Sequence, residues 1–256
     1  MPRIAELPAP EVAARIGAGA VVLLPMGSTE THGPGAPMGD YLLAEQIALL
    51  AAGRADALVA PALPFGGEDF FAGVPGGVAL THGTLSALLR EVVGGLIAGG
   101  ARRVLIINGH GGNIPPIEET QRRMREAHDL LIPALHLWRE ATALLPGLGA
   151  DPAATGHGGN PVLSVALHLL PQLCRPERLA PRAAGGTLLG QAVSGFGGVK
   201  LGGVTIGLPT LIDEIAPGGT QATDPRSASA ALGARITDAL VDAACAAITA
   251  LKEHGG

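Results

Sequence analysis

The sequence predicts a single α/β domain built around a parallel sheet. Its 256 residues suit one large α/β unit at least as well as two small ones, and no linker-like stretch divides it. Short apolar runs alternate with longer segments of helical periodicity. The run VLII at 104–107 is apolar at every position, as a strand covered on both faces must be. It empties into a glycine-rich loop that opens a helix, which is where open α/β sheets place their ligand sites.

In chain order, residues 9–16 read as a short amphipathic helix and 20–24 as a buried strand that stops at Pro25. The following loop concentrates ionisable residues in a chain that is only 15% charged. Glu30 and His32 stand at i and i+2, so in an extended segment their side chains leave on the same side. Asp40 folds back toward them after Gly/Pro turns. Two carboxylates and an imidazole meeting at one point suit a divalent ion of the zinc or manganese type. The alternative is a polar turn in which Asp40 caps the helix expected at 41–55. A second strand at 57–63 runs into PFGGEDFFAGVPGG at 64–77. Phe70 and Phe71 are half of the four phenylalanines in a chain with 2% aromatics, which suits a pocket or interface better than a core.

A helix at 84–98 ends at Gly99-Gly100 and leads to the strand at 104–107. Asn108-Gly109-His110-Gly111-Gly112-Asn113 follows, with Asn113 read as the N-cap of a helix reaching about residue 128 and Pro115 and Pro116 in its first turn. The loop lacks the Walker lysine and the GxGxxG spacing, so His110 points to metal chemistry rather than phosphate binding. A nucleotide-binding Rossmann-like module is the rival class, and it predicts no bound metal. A strand at 130–137 ends at Trp138, the one tryptophan, and residues up to 154 read as irregular. The pentapeptide GHGGN of 109–113 recurs at 156–160, again ahead of a proline-started helix, at 162–170. His157 is therefore an acid/base or ligand candidate, whereas His82, His128, His136, His168 and His254 read as core or surface histidines. Residues 185–219 read as strands and turns that also suit a contact between subunits, and an alanine-rich helix at 227–253 closes the chain.

A net charge of −5 without a basic cluster argues against nucleic acid as the partner and leaves a small molecule. No apolar run approaches the ~18 residues of a membrane span, and the N-terminus lacks a signal-peptide core. The expectation is a cytoplasmic protein with no membrane partner. Cys174 and Cys245 read as reduced, buried thiols.

PMGSTETHGPGAPMGD at 25–40, PALPFG at 61–66 with VPGG at 74–77, INGHGGN at 107–113, GHGGNPVLSVAL at 156–167 and ATDPRSASAALG at 222–233 together resemble the creatininase (creatinine amidohydrolase) family. The strings are in the family's order and span nearly the whole chain. The resemblance implies a single three-layer α/β/α domain over 1–256, a divalent metal centre at the carboxyl ends of the strands, hydrolysis of a C–N bond in a small or cyclic amide, and a homohexamer. Glu30, His32 and His110 match family metal ligands. Asp40 matches the bridging carboxylate but stands one residue early, so that Tyr41 takes its usual slot. Asn160 replaces the glutamate of the family's HAGE string, and Gly112 the alternative glutamate two residues after His110.

Neither known carboxylate for a second metal is thus present, and an amide is a poor ligand for a hard cation. The outcomes considered are a one-metal hydrolase, a two-metal hydrolase that recruits Glu68 or Glu118, and a ligand-binding or altered-chemistry relative acting on a lactone or ring ketone. The expected mechanism is attack by a metal-activated water, with one Zn or Mn ion held firmly by Glu30, Asp40, His110 and His32. His157 protonates the leaving group. Asn160, besides N-capping its helix, contacts substrate, and Trp138 closes the pocket with Phe70 and Phe71.

Overall fold

The computed structural model describes residues 3–67, 71, 73–193 and 195–254. In chain order the elements are α1 (Ala9–Gly17), β1 (Val22–Met26), α2 (Asp40–Ala55), β2 (Leu58–Val59), β3 (Gly66–Gly67), β4 (Ala79–Leu80), α3 (His82–Ala98), β5 (Val104–Asn108), α4 (Ile114–His128), β6 (Ala134–His136), α5 (Leu137–Leu144) and α6 (Val162–Leu169). They continue through β7 (Thr187–Leu188), β8 (Gln191–Ala192), β9 (Gly198–Leu201), β10 (Val204–Gly207), the one-turn α7 (Ile212–Ile215) and α8 (Ala230–His254).

The central sheet has the order β2-β1-β5-β6, and every pairing in it is parallel. Strands covered on both faces need apolar side chains at every position, and β1 and β5 supply them in alternation. Leu23, Leu105 and Ile107 pack with α2, α5, α6 and α8. Val22, Leu24, Val104 and Ile106 pack with α3 and α4, which α1 flanks. The result is the expected three-layer α/β/α arrangement. Helix α8 lies so close to α6 that a Cβ on Gly233 would stand 1.9 Å from the Ser164 carbonyl oxygen, so only glycine permits the contact.

Several expectations change. The first strand does not stop at Pro25 but runs from Val22 to Met26, with Pro25 in register opposite Ile107. The strand at 57–63 shortens to Leu58–Val59, because Pro61 and Pro64 lack the N–H that a ladder needs; Leu63 returns only as a bridge to Met26. The strand at 130–137 shortens to Ala134–His136, just after Pro133, and Leu137 already opens α5, so part of the stretch expected to be irregular is helical. The last helix begins at Ala230, behind a 3-10 turn at Pro225–Ser227. Both cysteines are free as expected, although Cys245 is only half-buried.

Candidate metal centre

The carboxyl ends of β1 and β5 lie side by side, in register from Val22 opposite Val104 to Met26 opposite Asn108. The loops leaving them bring Glu30, His32, Asp40 and His110 together, and all four side chains are buried. Ligand atoms of Glu30, Asp40 and His110 lie within 4.8 Å of one another, and a second group of the same kind joins Glu30, His32 and His157. His32 Nε2 lies 3.3 Å from Glu30 Oε1 and 3.9 Å from Asp40 Oδ2. His110 Nδ1 lies 3.1 Å from Glu30 Oε2 and 3.5 Å from Asp40 Oδ2. One carboxylate oxygen of Asp40 thus faces both histidines despite the shortened spacing.

The surroundings fix these orientations. Asp40 Oδ1 accepts the Ser28 N–H at 2.5 Å and Oδ2 the Ser28 hydroxyl at 3.1 Å. Gly27 is needed for this approach, since a Cβ there would stand 2.2 Å from Asp40 Oδ1. His110 Nε2–H donates to the Gly67 carbonyl at 3.1 Å, which leaves Nδ1 for the cluster. Asn108 closes the turn, donating to the His110 carbonyl at 2.7 Å and accepting the His110 N–H at 3.2 Å.

Three side chains read as helix caps do other work. Asp40 is the first residue of α2 rather than its cap, and its carboxylate is held by Ser28. Asn113 precedes α4 but makes no capping bond. It accepts the Gly67 N–H at 2.9 Å and donates to the Gly27 carbonyl and to Asn108 Oδ1, both at 3.1 Å, tying three loops around the site. Asn160 likewise gives α6 no capping bond. Its Oδ1 accepts the Ser164 hydroxyl at 2.5 Å, while its buried Nδ2 has no partner.

The electrostatics follow from two carboxylates in a dry cluster. Burial opposes ionisation of Glu30, but the charge and hydrogen bond of His110, with those of His32, outweigh it and hold Glu30 well below the usual carboxylate range. Burial raises Asp40, with the neighbouring Glu30 charge adding to it. His110 is pushed well above the usual imidazole value, because the Glu30 charge and the bonds to both carboxylates outweigh the opposing effect of burial. His157 differs, since burial lowers it to about 4 and leaves a neutral ring. Its Nε2–H donates to the Thr31 carbonyl at 2.6 Å, so Nδ1 is its basic nitrogen.

Two oxygens and an imidazole nitrogen turned on one point suit a divalent ion, and the buried His32 Nδ1 has no protein partner. A cavity of about 470 Å³ opens beside the cluster, lined among others by Glu30, His110, His157, Asn160 and Trp138. Trp138 is anchored by its indole N–H on the Gly109 carbonyl. Phe71 stands 5.2 Å from the His157 ring and 5.9 Å from His110, between ring centroids. Phe70 and Glu68 lie outside the described residues. Glu118 is exposed on α4 and joins neither ligand group. The sequence reading missed Ser28, Gln221 and Phe196. Gln221 accepts the His157 N–H at 3.2 Å and lines the cavity, and its one signal was its place just ahead of the string at 222–233.

Fold and site together give an α/β protein with a candidate carboxylate–histidine metal centre at the carboxyl edge of its sheet. The family profile described as "Creatininase: Creatinine amidohydrolase" matches residues 5–248. The chain belongs to the creatininase family and, with it, to the metal-dependent amidohydrolases. It is similar to the mycofactocin precursor peptide peptidase of Mycobacterium tuberculosis (strain CDC 1551 / Oshkosh), at 31% identity over 240 residues, 86% of this chain and 81% of that one. Among solved structures it is similar to "Creatininase Mn", with a TM-score of 0.78, 25% identity and coverage of 100% of this chain and 99% of the other. It is also similar to a mutant creatininase of "Zn-Zn type", with a TM-score of 0.73, 25% identity and coverage of 99% and 98%.

Proposed function

We propose that this chain hydrolyses the C–N bond of a small amide, cyclic amides included, at a centre in which Glu30, Asp40, His110 and His32 hold Mn²⁺ or Zn²⁺. The observation that carries this reading is the convergence of Glu30, Asp40 and His110 ligand atoms within 4.8 Å at the carboxyl ends of β1 and β5. An ion bound there lowers the pKa of water and polarises a carbonyl oxygen. His157 Nδ1, on a ring kept neutral and fixed by Thr31, takes the proton of the attacking water and returns it to the leaving nitrogen. The unpartnered Asn160 N–H donates to the substrate carbonyl, and the Trp138 ring walls the cavity.

The carboxylate that holds a second ion in family members is missing, so the expected loading is one firm equivalent per chain. The test is elemental analysis of protein purified without chelator, alongside NMR assays of ring opening on creatinine and other cyclic amides. About one equivalent of Mn or Zn, lost in His110→Ala together with activity, is the expected result; no metal after soaking would refute the reading. The exposed Leu189, Val204 and Leu211, between β7 and α7, suit self-association, and the proposed state is a hexamer, to be read by light scattering. Among the described residues no helix is long and apolar enough to cross a membrane, and the proposed location is cytoplasmic.

A further inference from the structure

The cavity beside the cluster has walls of two chemically distinct kinds. One is the acidic and imidazole floor of Glu30, His32, His110 and His157. The other is apolar and aromatic, with Phe71, Trp138, Phe196, Pro161 and Val162. Phe196 meets the His157 ring edge-on at 6.0 Å, so this wall continues directly from the acid/base residue. Three of the chain's six aromatic residues therefore gather at one cavity, since the sequence holds four phenylalanines, one tryptophan and one tyrosine.

The charge census is equally uneven. No lysine or arginine lines the cavity among the described residues. Arg182 does not line the cavity itself; its guanidinium donates at 3.2 Å to the carbonyl of the lining residue Gln221 and is committed to that bond. Arg139, one residue from Trp138, is exposed and paired with Glu140 at 2.9 Å. A carboxylate or phosphate on the far end of a substrate, held against the aromatic wall and away from the metal ligands, would lose its water and meet no lysine or arginine among the described residues. A flat apolar group would bury its faces against the rings, and a cationic one would gain from their π faces.

We propose that the cavity selects amides whose non-reacting end is aromatic or cationic and rejects those that carry an anion there. The selectivity rests on the hydrolase reading only in supposing that the cavity is where the substrate lies. A peptide ending in a free carboxylate is accordingly a poor occupant, whereas a capped or ring-closed amide is a good one. At about 470 Å³ the cavity sits in the lower part of the ~300–1,000 Å³ range of small-molecule sites, which favours a compact ligand over an extended chain.

The test uses Mn²⁺-loaded protein and three cyclic imides of one ring size, with benzyl, 4-(trimethylammonio)benzyl or 4-carboxybenzyl on nitrogen. Calorimetry gives Kd for each and NMR follows ring opening. The expected order places the cationic and neutral compounds on the order of a hundredfold tighter than the anionic one. Thr142→Arg, which puts a guanidinium at the cavity wall, is expected to narrow that gap at least about tenfold. Equal affinity for the anionic and neutral compounds, or a gap that Thr142→Arg does not move, would overturn the proposal. The expected affinity order with no ring opening by any compound would count against the hydrolase reading and leave the selectivity standing.

Discussion

Asn113→Ala removes one side chain whose three hydrogen bonds span the site. The residue is fully buried and ties the Gly67 N–H, the Gly27 carbonyl and Asn108 Oδ1. Asn108 Oδ1 keeps the His110 N–H, so truncation leaves two buried groups without a partner, the Gly67 N–H and one carbonyl lone pair. A buried group stripped of its partner costs about 1–3 kcal/mol, so the substitution should destabilise the protein by roughly 2–6 kcal/mol. That is a large part of the ~5–15 kcal/mol available to a typical domain. A second effect follows from position, because Gly67 carries on its carbonyl the bond that orients His110. Loosening such an outer partner typically lowers metal affinity 10–100-fold. Urea unfolding of the metal-free protein reads the first effect, and chelator competition for Mn²⁺ or Zn²⁺ under native conditions reads the second. A loss below about 1 kcal/mol with unchanged metal affinity would refute the assignment of Asn113 as the tie that holds His110 and the Gly27 loop in place.

His157→Ala is expected to lower kcat by about 10²–10⁴ while leaving metal content unchanged. A drop of one metal equivalent would instead make His157 a ligand with Glu30 and His32, whose donor atoms it adjoins. Asn160→Glu restores the family's carboxylate beside Ser164 and is expected to raise metal loading from about one toward two equivalents per chain, as read by elemental analysis. Metal binding should stabilise the fold: at a free concentration about 100 times Kd the gain is about 2.7 kcal/mol, or roughly 5–10 °C in Tm for a chain of this size. Scanning calorimetry with and without chelator checks it, and since the histidines bind as free bases the same loading must release protons, measurable in buffers of different ionisation enthalpy.

What could be read from the sequence was local, and what could not was held by long-range partners. Glu30 and His32 could be paired in advance because an i, i+2 relation is a property of extended backbone alone. The strand at 104–107 and its loop were legible because a fully apolar run has few other uses in an α/β chain. The repeated GHGGN singled out His157, although its contact with Thr31 spans 126 positions. The edges of the sheet were not legible, because hydrophobicity does not show that Pro61 and Pro133 cut the ladders short.

The most instructive errors are the three helix starts. Asp40, Asn113 and Asn160 all stand at or next to a helix start, where a cap bond is worth about 1 kcal/mol, but only Asn113 occupies the cap position itself. The caps of α2 and α6 are Gly39 and Pro161, which have no polar side chain to offer, and Asn113 makes no capping bond to α4. Asp40 and Asn113 bind tertiary partners instead, Ser28 and the Gly27 and Gly67 backbone, whereas Asn160 accepts the hydroxyl of Ser164, four residues on in α6 itself. A helix start at the carboxyl edge of a parallel sheet is also the place where a ligand site forms, so a short polar side chain there has two competing uses. Local sequence scores both uses alike, and only the fold decides between them. Burial of the helices in the three-layer core makes the missing caps affordable, because packing of their apolar faces contributes far more to helix stability than any one cap.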